Sequence, residues 1–168
     1  MHIIRKAVPG DAKEINRITK SAFLLYRDEL HSAAPVYALQ ETDIDILDDI
    51  IHHFVYVAEE DGKILGAIRY CALSRELAYL YRFAVDPDIN NVGIGSDILN
   101  FVLGECEAAG FSVAVLHTNS RYYKLARYYY GKQFFVHSTD DSKGYIRALF
   151  VKEIKPAAKY DLSPAFKK

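Results

Sequence analysis

Tryptophan is absent from the chain, methionine occurs once, and 168 residues hold two cysteines and five prolines. Cys71 and Cys106 are too few for a disulfide framework and lack metal-ligand spacing, so a stapled secreted scaffold and a zinc site are both excluded and the pair reads as buried thiols. No metal is expected. No apolar run reaches the roughly 20 residues a bilayer-crossing helix needs. Neither sign of charge dominates, with 21 Lys and Arg against 22 Asp and Glu and a formal net charge of −1. The basic residues are scattered and form no stripe, which removes nucleic acid from the expected partners. Met1-His2-Ile3-Ile4-Arg5-Lys6 and then Pro9-Gly10-Asp11 place charges and turn formers where a secretory signal would be apolar, so a cytoplasmic protein without membrane contact is expected. Internal repeats and linkers are missing too.

What is present is apolar mass: 51% of the residues, in a length that suits one core better than two. We expect one α/β or α+β domain over residues 1–154, followed by a loose C-terminal tail at 155–168. There are 13 Tyr and 9 Phe. Tyr122, Tyr123, Tyr128, Tyr129 and Tyr130 crowd one short stretch, which suits a pocket wall, an interface or core. A homodimer stays open.

Apolar periodicity divides the chain. Residues 2–8 read as a strand. Asp11 with Glu14 resembles a capping box ahead of a helix with Ile15, Ile18, Ala22 and Leu25 on one face. Thr42 is a candidate cap for a second helix, with Ile44, Leu47, Ile50 and Ile51 inward and a solvated acidic remainder of Asp43, Asp45, Asp48 and Asp49. His52 and His53 suit its C-terminal dipole. Phe54–Ala58 and Ile64–Leu73 flank Asp61-Gly62, a hairpin signal. Leu77–Val85 is apolar on both parities apart from Arg82, as in a strand covered on both faces, and is placed at the centre of the sheet. A third helix buries Ile98, Leu99, Val102, Leu103 and Cys106 and stops at Gly110. Strand Phe111–His117 follows, parallel to the central strand by the right-handed crossover rule. A helix over about 120–132 and a long-looped hairpin, Phe134–His137 with Tyr145–Ile154, complete the reading.

Between the central strand and the third helix runs Asn90-Asn91-Val92-Gly93-Ile94-Gly95-Ser96. The opening amides of a helix have no acceptor within it, the dipole there favours negative charge, and glycine at 93 and 95 lets an anion approach the backbone. Spacing alone allows an ordinary glycine turn equally well. No Gly-Lys-Ser/Thr follows, which excludes a Walker loop, and a dinucleotide fingerprint lacks its third glycine.

Phe83-x-Val85-x-Pro87-x-x-Asn90-x-x-Gly93-x-Gly95 resembles the cofactor motif of the GNAT N-acetyltransferases, with Asn90 where the family has Gln or Arg. The opening Ile4-Arg5-Lys6-Ala7-x-Pro9-x-Asp11-Ala12-x-x-Ile15 is also similar to GNAT beginnings. The resemblance, extending to about residue 154, implies a mixed, mostly antiparallel α/β (α+β) sheet with a central, splayed parallel strand pair and about four helices. It implies acetyl-CoA as acyl donor. The pyrophosphate would lie on Asn91, Val92, Gly93, Ile94, Gly95 and Ser96, with Asn90 nearby. The pantetheine arm would pair with Phe83, Ala84 and Val85 and touch Asn119. Ala126-Arg127-Tyr128-Tyr129-Tyr130-Gly131-Lys132-Gln133-Phe134-Phe135 resembles the second family motif, which makes Tyr130 the acid for the departing thiolate and puts Phe134 where glycine is usual. Tyr129 is the alternative register.

Direct attack by a small-molecule or peptide amine in a ternary complex needs a proton acceptor. Glu76, ahead of the central strand, and His117, at the end of its parallel neighbour, are the candidates. A histidine titrating near neutrality would need little tuning. Each also has a plain structural reading, as a solvated turn residue and a hydrogen-bonded pocket wall, and a water chain could replace both. The rivals to an enzyme are a non-catalytic acyl-CoA-binding sensor and a nucleotide-binding α/β domain.

Overall fold

A computed structural model of the chain describes residues 1–30, 33–89, 93–156 and 159–168. Its described elements are β1 Ile3–Lys6, α1 Ala12–Leu30, α2 Asp43–His52, β2 Phe54–Glu60, β3 Lys63–Ala72, β4 Leu77–Val85, α3 Ile94–Ala108, β5 Val113–Asn119, α4 Tyr123–Gly131, β6 Phe135–Asp140 and β7 Arg147–Glu153. The strands form one sheet in the order β1-β2-β3-β4-β5-β7-β6, which puts β4 in the middle as expected. The register is antiparallel for β1–β2, β2–β3, β5–β7 and β6–β7. Among the described registers β4 and β5 alone pair in parallel, and their ladder comprises Leu77–Tyr79 against Val113–Val115. The fold is therefore the mixed, mostly antiparallel α/β sheet that the resemblance implies.

Local chemistry explains the turns. Asp61 and Gly62 have φ of 50° and 77°, the two successive left-handed residues of a tight hairpin. Gly110, at φ 95°, ends α3 in a Schellman arrangement, with Phe111 N–H donating to Cys106 O at 3.0 Å and Gly110 N–H to Glu107 O at 3.0 Å. Thr42 caps α2 as expected, and its own amide donates to the Asp45 carboxylate at 2.7 Å. Asp11 behaves differently from its expected role. Its carboxylate reaches back to the Val8 amide at 2.8 Å and to Arg5 at 2.7 Å, because a 3-10 turn at Pro9–Asp11 precedes α1.

The chain falls into two compact units, residues 1–32, 36–71 and 81–102, and residues 33–35, 72–80 and 103–168. In the first, Ile15 and Ile18 of α1 and Ile46 of α2 pack with Val55, Val57, Ala67 and Ala84. Asp86 is fixed there by Arg17 and by its amide donating to Leu65 O at 2.8 Å. In the second, Leu77, Val113, Val115, Leu149 and Val151 enclose Leu162 and Ala165. Those last two overturn the expectation of a loose tail: Leu162 and Ala165 are 7% and 0% exposed, in and beside a closing 3-10 turn, Ser163–Lys167. Tyr160 adds a bond from its hydroxyl to Glu153 at 2.7 Å.

Candidate active site

The anion site predicted ahead of α3 lies in the first unit. Ile94 and Ile98, both 0% exposed, clamp the helix down. Among the described residues its first internal bond runs from Asp97 N–H to Gly93 O at 2.9 Å, and the amides of Ile94, Gly95 and Ser96 stand ahead of it in the opening turn. Gly93 has φ 120°, a conformation reserved for glycine, and beyond its chain neighbours no atom of a described residue lies within 4 Å of where its Cβ would stand. Exposed backbone, open space and a positive dipole end together fit a phosphate group. Asn90, Asn91 and Val92 lie outside the described residues.

The strand leading into this turn is shaped by two residues. Arg82 has φ 51° in the middle of β4, a left-handed kink that breaks the alternation of side chains. Tyr81 and Arg82 consequently both reach groups of the α2 side: Tyr81 contacts His53 and Arg82 donates to Glu41 at 2.7 Å. Gly66 on β3 lets β4 come close, since a Cβ there would stand 2.9 Å from Ala84 O and 3.3 Å from Val85 Cα. Phe83, Ala84 and Val85 are thus held by a neighbour that has no side chain to interfere.

The remaining predicted residues belong to the second unit. Tyr129 is buried, its ring 5.5 Å from those of Phe134 and Phe150. Tyr130 is 55% exposed, its ring edge-on to Phe150. The helix ends in another Schellman arrangement, Phe134 N–H to Tyr129 O and Gln133 N–H to Tyr130 O, each 3.0 Å. The left-handed residue is Gln133, φ 64°, so Phe134 packs inward at the position where the motif has glycine. His117 lies under Tyr79, whose hydroxyl is 3.0 Å from Nδ1, while Nε2 is 4.0 Å from Asp140. Burial, then the Arg147 charge, lowers its pKa to about 4 against the opposing pull of Asp140, so it does not titrate near neutrality. Glu76 is exposed in the turn before β4. Its carbonyl accepts from Ser112 and Val113, each at 2.9 Å, and its carboxylate from Ser74 at 3.2 Å. Asn119 ends β5, its side chain accepting from the Arg121 amide at 3.0 Å.

The profile of the acetyltransferase (GNAT) family matches residues 19–134. The chain belongs to the GNAT acetyltransferase family. Among curated proteins it is similar to S-(2-succino)cysteine N-acetyltransferase of Bacillus subtilis (strain 168), 29% identical over 105 residues. That alignment spans 58% of this chain and 61% of the relative. Among solved structures, the PaiA N-acetyltransferase of Thermoplasma acidophilum in complex with coenzyme A shares the fold with TM-score 0.80 and 18% identity, over 91% of this chain and 99% of that one. YncA of Salmonella typhimurium, solved with its cofactor acetyl-CoA, gives 0.75 and 19% over 96% and 98%.

In this GNAT chain a polar network of the first unit escapes the sequence reading. Arg69 on β3, 1% exposed, directs Nη1 to Asp49 at 2.8 Å and to Glu41 at 3.0 Å. His53 joins Asp49 and Tyr81 at 2.8 and 2.7 Å. The acidic face of α2 is therefore only partly solvated: Asp49 points inward with Ile46 and Ile50, while Ile44 and Ile51 are 76% and 63% exposed. The signal available was the stripe Ile46, Asp49, Ile50, His53, spaced three and four apart. Among the described residues, no group of three or more His, Cys, Asp or Glu is placed to hold a metal ion, and no helix is long and apolar enough to cross a membrane.

Proposed function

We propose that the protein moves an acetyl group from acetyl-CoA to a primary amine by direct attack. The observation that carries this is Gly93, at φ 120° with open space beside it, at the head of a 15-residue helix in a chain of this family. The amides of Ile94, Gly95 and Ser96 would hold the pyrophosphate. The backbone of Phe83, Ala84 and Val85 would hold the pantetheine arm. When bound, the donor supplies an activated acyl carbon and a stable leaving thiolate. Tyr130 is 55% exposed and Tyr129 is 4% exposed, which supports Tyr130 as the proton donor to sulfur.

The acceptor class follows the relative that acetylates S-(2-succino)cysteine, so S-substituted cysteines and other amino acids head the amine panel. The test is calorimetry with acetyl-CoA followed by thiol release from acetyl-CoA with that panel. Wild-type protein should bind acetyl-CoA and release thiol with at least one amine. Binding without thiol release from any amine would identify a sensor, and competition by adenosine phosphates that needs no pantetheine arm would identify a nucleotide site.

A further inference from the structure

His53 closes α2, and its Nδ1 has two oxygens within hydrogen-bond distance, Asp49 Oδ1 at 2.8 Å and the Tyr81 hydroxyl at 2.7 Å. An ionised carboxylate can only accept, so Nδ1 must carry the proton, and the lone pair of the neutral ring is left on Nε2. The Tyr81 phenol is held well above its ordinary range, by burial first and by Asp49 next, and therefore keeps its own proton. Asp49 is itself fixed by Arg69, a side chain 1% exposed and shared with Glu41, which also receives Arg82. Two guanidiniums thus balance two carboxylates around the ring, and Asp49 is the charge in contact with it. His52 next door turns the other way, to Asp48 at 3.0 Å. His53 is 38% exposed, and its described contacts, to Asp49 and Tyr81, are both made by Nδ1.

The place matters as much as the geometry. An arm that starts at the α3 cradle and follows β4 backwards from Val85 to Phe83 directs its far end toward Arg82 and Tyr81. Tyr81 is two residues before Phe83, about 7 Å along a strand. The kink at Arg82 turns Tyr81 to the same side as His53.

We propose that His53 is the general base of the acetyl transfer, with Asp49 as its positioning residue. The assignment rests on the reading of α3 as cradle and β4 as the arm's partner. Nε2 accepts one proton from the acceptor's ammonium. The freed nitrogen pair forms the N–C bond, the C–S bond breaks, and its electron pair leaves on sulfur. The second proton lost by nitrogen is matched by the one sulfur gains, so amide, free thiol and one proton on His53 result, and solvent removes that proton.

The experiment pairs His53→Gln with Asp49→Asn. With the best acceptor among the S-substituted cysteines and amino acids, His53→Gln should lower kcat about 100-fold at pH 7, in the lower part of what general-base catalysis contributes, while the Kd for CoA stays within about twofold. The deficit should shrink as pH rises toward the amine's own pKa, where the acceptor is already neutral. A readout independent of turnover is the ring nitrogen NMR of His53 at a pH where the ring is neutral: the wild type should show the Nδ1–H tautomer, and Asp49→Asn a mixture. Asp49→Asn also strips a carboxylate from buried Arg69, so the wild-type spectrum decides if that variant does not fold. An Nε2–H majority in the wild type, or His53→Gln turnover within about twofold of wild type, overturns the assignment. A wild-type protein that does not bind CoA overturns the cradle reading instead. CoA binding without thiol release from any amine overturns the transferase reading and the base with it.

Discussion

Two adjacent tyrosines show how one helical step separates roles. Tyr129 fills the core against Phe134 and Phe150, whereas Tyr130 is more than half exposed. If Tyr130 protonates the thiolate, Tyr130→Phe should lower kcat by about 10-fold to 100-fold and leave the Kd for acetyl-CoA unchanged, because the interaction exists only once charge develops on sulfur. Tyr129→Phe is the register control, and a loss confined to it would move the acid by one residue. Gln133 is a residue whose conformation costs stability. At φ 64° it occupies the position where helices prefer glycine, so Gln133→Gly should raise the urea-unfolding free energy by about 0.5–1 kcal/mol. His117 gives a pH signature. Its ordinary value of 6.5 applies unfolded and about 4 folded, so between these the unfolded state binds more protons. Stability should fall as pH drops from 6.5 toward 4, by at most about 1.4 kcal/mol per pH unit from this group, and urea midpoints of His117→Gln should be flatter over that window.

At the level of elements, three glycines do three different jobs. Gly66→Ala would press a methyl group into the β4 backbone, 2.9 Å from Ala84 O, and should cost about 1–3 kcal/mol by thermal or urea unfolding. Gly93→Val meets no neighbour, but its φ of 120° is closed to a branched residue. The turn must change shape, and calorimetry should show CoA affinity lost while most of the stability remains. Gly104 lies within α3 with open space around it, and Gly104→Ala should add about 0.5–1 kcal/mol without altering CoA binding. Periodicity and turn chemistry made most elements legible: the Asp61-Gly62 hairpin, the Thr42 cap and the buried face of α3 follow from residues within a few positions of one another, and the parallel β4–β5 pair from the crossover rule. The inward face of α2 did not. Ile44, Leu47, Ile50 and Ile51 make the better apolar stripe, but Asp49 and His53 turn inward because Arg69, far along the chain on β3, satisfies the carboxylate. A buried ion network of that kind leaves no local pattern. Glu76 and His117 lie beside the central strand pair, but position along the chain carries no information about the burial that lowers the His117 pKa or the turn bonds that engage Glu76.

At the level of the molecule, the C-terminal residues were the other misreading, since Pro156 and the polar stretch after it resemble an end without structure. Leu162 and Ala165 instead complete the core of the second unit. Ending the chain after Pro156 would uncover Leu77, Val113 and Val151, and losing Leu162 alone should cost about 2 kcal/mol. Differential scanning calorimetry of that truncation should show a lower Tm, and dye binding to exposed apolar surface should rise. The strand order carries one more consequence, for the newborn chain. The last three strands lie as β5-β7-β6, so β7, made last of the three, inserts between the other two. Until β7 has emerged from the ribosome, β5 and β6 each keep an open edge that the finished sheet closes with β7. A slow codon run prolongs that interval, and a second nascent copy offering its own β7 is the natural rival. Polysome crowding should therefore favour strand-exchanged dimers, separable by size and resolved to monomer on dilute refolding.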